Sequence, residues 1–292
     1  MKLQSLSIAK YPRTPHLQGS RLQHGDEDSD QIPYHHLEGC YIVVEEKLDG
    51  ANSGIRFSKE AQLLLQSRGH YLVGGSREKH FNQFKVWANA HEERLYYLLE
   101  DRYLMYGEWM AAKHTVFYDQ LPHLFQEFDI WDSQNETFMG TDERHQFLNG
   151  TPVVSVPVLY AGIAPKKLSD LLKLVQPSLG KTSAWKDSLA YSAERQGLEP
   201  TQVLNETESS DFSEGLYIKV EKNGQVIARL KWVRRDFVQT LIDNDTHWLN
   251  RPIVPNLLAE GVDLYAPTPL VQWSHLQPLG PPVNRKNKSI TP

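Results

Sequence analysis

Lys47-Leu48-Asp49-Gly50 stands between two strand-like runs, Tyr41 to Val44 and Ala51 to Phe57. The first is apolar and β-branched, as a buried strand is, and the second reads as its successor, so the four residues display one lysine at a strand-to-strand turn. An amine that takes a phosphoryl group needs rigid backbone behind it and a carboxylate beside it to orient polar groups. It also needs a glycine that lets the chain turn without a side chain in the way. On its own the tetrapeptide reads as an exposed turn with a solvated lysine, so the rest of the chain has to decide.

The 292 residues, 40% of them hydrophobic, can bury a substantial core. No stretch approaches the roughly 20 apolar residues of a membrane helix. Met1 to Lys10 lacks the apolar centre of a signal peptide, so the expected compartment is the cytoplasm. Cys40 is the single cysteine, which excludes an internal disulfide and a cysteine-built zinc site; it is expected as a small buried residue at a strand start. A formal charge of −5 argues against coating nucleic acid by bulk electrostatics, but it does not describe a local cleft. Arg229, Lys231, Arg234 and Arg235 form one such local basic run, whereas Asp26, Glu27, Asp28 and Asp30 gather in a polar loop.

Periodicity divides the chain into an aperiodic N-terminal arm over residues 1–39, a strand-dominated body to about 240, and an appendage over 241–292. Leu63 to Ser67 is read as extending a hairpin opened by the first two strands. Phe81, Phe84, Trp87, Leu95 and Leu99 recur at helical spacing within Glu78 to Leu99. Tyr103 to Trp109, Leu124 to Trp131 and Val153 to Leu159 are strand-like, and Thr141 opens a short helix that Gly150 closes. A helical insertion is expected over about 165–198, its second helix running from Asp187 to Gly197. Asn223-Gly224 predicts a tight hairpin between Glu214 to Val220 and Val226 to Val233. The fold class is therefore α+β, mostly antiparallel sheet with flanking helices.

In chain order the sequence offers Glu46-Lys47-Leu48-Asp49-Gly50-Ala51-Asn52, Ser67-Arg68-Gly69, Tyr106-Gly107-Glu108-Trp109, Phe128-Asp129-Ile130-Trp131, Glu214-Gly215-Leu216-Tyr217-Ile218-Lys219 and Arg229-Leu230-Lys231. This series resembles the ordered motifs of the covalent nucleotidyltransferases, the polynucleotide ligases and mRNA capping enzymes, over roughly Cys40 to Arg235. Its form is most similar to ATP-dependent RNA ligases of the bacteriophage nick-sealing type. The resemblance implies a nucleotidyltransferase (adenylation) domain, related in outline to the ATP-grasp-like ligases. It also implies a soluble enzyme of RNA repair that uses ATP and Mg2+ or Mn2+ to join RNA 3′-OH and 5′-phosphate ends, with no membrane partner.

The resemblance also implies roles. Lys47, with Asp49 beside it, attacks the α-phosphate of ATP and becomes a lysyl-AMP phosphoramidate; its neutral amine is expected to be favoured by burial and neighbouring cations. Glu46 belongs to the nucleotide-binding set. Lys231, with Arg229 or Arg234, takes the α-phosphate. Phe128 stacks on adenine, Arg68 and Glu108 fix the ribose hydroxyls, and Asn52 and Lys219 contact the phosphate being sealed. Glu214 and Asp129 hold the metal ion through its waters. The histidines, His114 and His123 included, show no ligand spacing and read as structural.

The chain departs from the family pattern in its last motif, where an arginine and a lysine replace two lysines. The appendage, with His247, Trp248, Arg251 and the basic Arg285-Lys286-Asn287-Lys288 end, lacks the strand pattern of an OB-fold. That favours an RNA ligase over a DNA ligase or a capping-type guanylyltransferase. A non-catalytic nucleic-acid-binding protein would have no chemical reason to carry Lys47 and both carboxylate motifs together.

Overall fold

Alternation along the strands sorts apolar from charged side chains before any site is assembled. In β1 (Tyr41–Lys47), Ile42 and Val44 face one way into an apolar cluster, while Val43, Glu45 and Lys47 face the other. In β9 (Gly215–Lys222), Leu216, Ile218 and Val220 join that cluster, and in β10 (Gln225–Val233) so do Leu230 and Trp232. The opposite face therefore presents Glu45, Lys47, Tyr217, Lys219, Arg229 and Lys231 together. Cross-strand register sets Tyr217 opposite Glu45 and Lys231, and Lys219 opposite Arg229.

This computed structural model describes residues 7–22, 30–237 and 253–276, with backbone alone at 76 and 77. The remaining strands are β2 (Ala51–Phe57), β3 (Leu63–Ser67), β4 (Tyr103–Trp109), β5 (Phe125–Asp132), β6 (Thr137–Met139), β7 (Val154–Ser155) and β8 (Val158–Ile163). They form one sheet in the order β3-β2-β4-β5-β6-β10-β9-β1-β8, with β7 added parallel to β5 and every other pairing antiparallel. The helices are α1 (Asn82–Ala90), α2 (Glu92–Leu99), α3 (Thr141–Phe147), α4 (Leu168–Leu172), α5 (Trp185–Arg195) and α6 (Pro200–Asn205). The α+β class, largely antiparallel, is as expected.

One expectation fails informatively. β1 and β2 do not form a hairpin: β1 pairs with β8 and β9, and β2 with β3 and β4. The connection is anchored on the chain after β4 instead. Asp49 Oδ2 accepts the backbone N–H groups of Thr115 and Val116 at 2.8 Å each. Gly50 lies so close to β4 that a Cβ there would sit 2.8 Å from the Trp109 carbonyl oxygen, so the close approach requires glycine. Lys47 is consequently the last residue of a strand rather than part of a turn, and the short link carries the chain from one half of the sheet to the other.

Other differences are local. The run at 153–159 is split because Pro157 has no N–H to donate, leaving the two short strands β7 and β8. Cys40 is half-buried, not buried. A short helix absent from the expectations, α6, starts where Glu199 accepts the Thr201 N–H and Pro200 takes the first helical position. Asn223 and Gly224 have φ of 53° and 74°, as the tight β9–β10 turn demands.

Among the described residues the two largest apolar clusters lie in different parts of the sheet. Phe84, Trp87, Trp109 and Phe125 stack between α1 and β4–β5, with ring centroids 5.1 to 6.2 Å apart. Each ring buried this way stabilises the fold by about 1.5–3 kcal/mol. Leu264 and Trp273 of the C-terminal segment join the same core. The second core holds the apolar side of β1, β9 and β10 together with Leu17, Tyr34 and Leu171. The N-terminal arm lies along β10: Lys231 N–H donates to the Pro15 carbonyl at 2.9 Å, and Leu17 N–H to that of Lys231 at 2.8 Å. Residues Asp26 to Asp28, the continuation beyond Phe237 with His247, Trp248 and Arg251, and the Arg285 to Lys288 end lie outside the described residues.

Candidate active site

Where β1 ends, residues from both halves of the sheet and from the arm surround a cavity of about 400 Å3. Its walls carry Lys47, Asp49 and Gly50 from the link, Asn52 from β2, Arg68 after β3, Glu108 from β4 and Phe128 from β5. Glu46 from β1, Glu214 just before β9, and Lys231 from β10 complete the set that sequence reasoning singled out and the structure brings together. Residues it did not single out also line the cavity: Tyr11, Arg13 and Thr14 of the arm, Glu45, Tyr217 and His114.

The lysine amine is the centre of the arrangement. Lys47 Nζ donates to Glu214 Oε2 at 2.6 Å, the carboxylate being buried and the lysine side chain 21% exposed. Cations do line the same cavity, Arg68 and Lys231 among them, but the charges that act most on the amine are carboxylates. Burial by itself pushes the amine's pKa down, but Glu214, then Asp49 and Glu108, outweigh it and raise the pKa, so the amine stays an ammonium here.

The carboxylates show the complementary imbalance. Burial pushes Glu108 up to about 8; Lys47 opposes this, while Asp49 and Glu214 add to it. Glu108 Oε1 also accepts the Gly50 N–H at 3.1 Å. Burial likewise pushes Glu46 up to about 7, against hydrogen bonds from Ser178 Oγ at 2.5 Å and Leu179 N at 3.1 Å. Asn52 Oδ1 is buried and has no hydrogen-bond partner among the described residues. An acidic pocket with an orphaned acceptor is one that a cation and a polar ligand would complete.

A divalent ion fits this donor set in a particular way. Among the described residues no cluster of three or more His, Cys, Asp or Glu side chains is arranged to enclose a metal. Glu214 and Glu108 on the cavity wall suit an ion that keeps much of its water shell and leans on one or two carboxylates plus substrate phosphates.

Four singled-out residues are elsewhere: Asp129, Lys219, Arg229 and Arg234. Asp129 and Lys219 are fully buried, Arg229 is partly buried with its side chain 12% exposed, and none lines the cavity. Lys219 Nζ pairs with Glu45 at 2.9 Å and Asp129 at 3.2 Å and donates to the Phe128 carbonyl. Arg229 Nε pairs with Asp129 Oδ2 at 2.9 Å, its guanidinium 3.6 Å above the Phe138 ring. Asp129 also accepts the Tyr11 hydroxyl. Its carboxyl is lowered because Lys219, Arg229 and Arg144 outweigh burial. The register that puts Lys219 opposite Arg229 delivers both to Asp129, beneath the cavity floor rather than into it. Arg234 is also withdrawn: its Nε donates to the Ser213 carbonyl at 2.7 Å and Nη1 to Asp236 at 2.8 Å.

A buried helix residue completes this lower layer. Arg144 of α3 binds Glu45 at 2.6 Å and Glu127 at 3.1 Å, all three side chains being 0–1% exposed. Nothing in the local pattern of α3 distinguishes Arg144 from a solvent-facing arginine; only its partners, far away in the chain, reveal it.

A strand-end lysine beside a buried carboxylate, on a pocket assembled from six separated motifs of an antiparallel sheet, defines the nucleotidyltransferase class of site. A family model described as RNA ligase matches residues 41–233, the greater part of the chain, and the protein belongs to that family. A comparison with curated protein sequences gave no match. Among solved structures, the chain is similar to the RNA ligase of Naegleria gruberi with PPi (20% identity, TM-score 0.48, covering 77% of this chain and 56% of that one). A point mutant of the same ligase with ATP and Mn gives 18% identity and a TM-score of 0.47 over the same shares, 77% and 56%. The chain thus spans 56% of the length of these ligases.

Proposed function

We propose that the protein is an ATP-dependent RNA ligase that seals a 3′-OH to a 5′-phosphate through lysyl-AMP on Lys47 and an RNA-adenylate. The observation that carries this reading is the Lys47–Glu214 contact at 2.6 Å inside a cavity that also holds Arg68, Glu108, Phe128 and Lys231. Family membership supplies the class of reaction.

In this reading Phe128, half-buried on the cavity wall, offers its face to adenine, and Arg68 with Glu108 meets the ribose diol. Lys231 spreads the charge that develops on the α-phosphate. Glu214, with Glu108 on the same wall, would hold a divalent ion, which would supply charge neutralisation at the reacting phosphate. Glu214 keeps the Lys47 amine aimed into the cavity and takes the proton the amine must lose before attack. Asp49 fixes the link by its two backbone hydrogen bonds, and Asn52, with its open acceptor, meets the ligand or the end being sealed.

Incubation with α-labelled ATP, then denaturation, is expected to leave label on the wild-type chain and none on Lys47→Ala. Label from GTP in place of ATP would point to capping chemistry, and no label from either to a binding protein. Nicked duplexes with RNA or DNA on the 3′-OH side then test the substrate. Preferential sealing of all-DNA nicks would overturn the RNA assignment.

A further inference from the structure

The last motif leaves one phosphate cation unassigned: Arg229 stands where a second lysine is usual, and it is unavailable. Tyr11 of the N-terminal arm covers it, with its ring 5.5 Å from the Arg229 guanidinium and its hydroxyl bonded to Asp129 and, at 2.7 Å, to Tyr217. The same arm supplies another cation. Two residues after Tyr11, Arg13 lies exposed on the wall of the nucleotide cavity that Lys231 also lines.

Arg13 is held there by anchors on both sides. Before it, Tyr11 is fixed by its hydroxyl and by edge-on packing against Phe128, ring centroids 5.0 Å apart. After it, Thr14 Oγ1 lies 3.0 Å from the Tyr217 hydroxyl, and Pro15 is paired to the backbone of Lys231. The floor around Lys47 is lined with carboxylates, so a bound triphosphate cannot extend its negative tail there. The cations that line the same cavity, Arg13, Arg68 and Lys231, are the groups that would attract it.

We propose that Arg13 receives the β- and γ-phosphates of ATP and holds the departing pyrophosphate, taking the place that Arg229 has vacated. This rests on the ligase reading above. In the step concerned, the neutral Lys47 nitrogen forms a bond to the α-phosphorus, and the bond from that phosphorus to the oxygen bridging to the β-phosphate breaks. That oxygen leaves with both electrons as pyrophosphate. The ammonium releases one proton before attack and a second after the N–P bond forms, both by way of Glu214 to water. A guanidinium on the leaving group lowers the barrier of this step and has no part in joining RNA that is already adenylylated.

The experiment compares wild type, Arg13→Ala and Arg13→Lys in three assays: labelling by α-labelled ATP, release of AMP from the labelled enzyme by added pyrophosphate, and sealing of chemically pre-adenylated RNA. Arg13→Ala is expected to slow labelling and pyrophosphate-driven release by about 10- to 100-fold, the range of a lost charged hydrogen bond. Arg13→Lys restores part of both, and sealing of pre-adenylated RNA falls far less. Equal loss in all three assays would assign Arg13 to RNA and overturn the proposal. Labelling and release at wild-type rates would overturn it as well. If the wild type takes no label from any nucleotide, the ligase reading itself fails and the role of Arg13 falls with it.

Discussion

Glu45 and Lys47 leave the same face of β1 two residues apart and enter opposite electrostatic settings. Glu45, which also touches the cavity wall, joins a buried layer in which Glu45, Glu127 and Asp129 are matched by Arg144, Lys219 and Arg229, with contacts of 2.6 to 3.2 Å and side chains 0–12% exposed. Lys47 enters an open cavity where Glu214, Asp49 and Glu108 all act on one amine. Each charge of the buried layer meets an opposite charge within it, although Glu45 Oε2, Asp129 Oδ1, Arg144 Nε and Arg229 Nη2 have no hydrogen-bond partner among the described residues. The unmatched one is the place a cation and a nucleotide would complete. Charge alone does not mark a site; an imbalance facing a cavity does.

The comparison breaks most visibly at Arg144. Arg144→Met leaves Glu45 and Glu127 buried with fewer partners, and the expected loss is about 3–5 kcal/mol of unfolding free energy, read from urea denaturation at neutral pH. A cost under about 1 kcal/mol would show that water already reaches this layer, and the distinction between the two settings would dissolve.

Next in size is a pH effect confined to the cavity. Glu108 holds its proton up to about 8 in the folded chain, against 4.5 as an ordinary carboxyl. Between those values the folded state binds more protons than the unfolded, so its contribution is fully present below 4.5 and is lost as pH rises through about 8. Glu46 adds the same sign between 4.5 and about 7. Stability should therefore decline with rising pH across this window, each group adding at most ~1.4 kcal/mol per pH unit. Glu108→Gln should flatten the upper part of that slope. A profile identical to wild type between pH 7 and 8 would mean that Glu108 is ionised and the cavity already compensated.

How far the sequence could be read follows the same division. Lys47, Asn52, Arg68, Glu108, Phe128, Glu214 and Lys231 sit in short motifs whose order is visible in one dimension, and the cavity gathers them. Strand periods of two and the Asn223-Gly224 turn placed β2, β4 and the β9–β10 hairpin closely. The misplacements are all matters of depth and partnership. Asp129, Lys219 and Arg229 share motifs with cavity residues yet point into the matched layer, because which charge meets which depends on register between β5, β9 and β10. The false β1–β2 hairpin has the same origin: a short link looks like a turn until Thr115 and Val116, remote in sequence, are seen to hold Asp49. Arg13 and Tyr11 were illegible because an aperiodic arm carries no pattern to read.

The smallest expected effect isolates burial from distance. Lys173 Nζ lies 2.7 Å from Asp170 Oδ1, as short as most contacts of the matched layer, but the two side chains are 76% and 45% exposed. Water solvates both ends whether or not they touch, and holding two mobile side chains together offsets what attraction remains. Lys173→Ala should therefore leave the denaturation midpoint where it is, and added salt should not separate variant from wild type. Were Lys173→Ala to destabilise the chain as Arg144→Met does, the length of an ion pair rather than its removal from water would govern its strength. The contrast between Glu45 and Lys47 would then need an explanation other than the surroundings each enters.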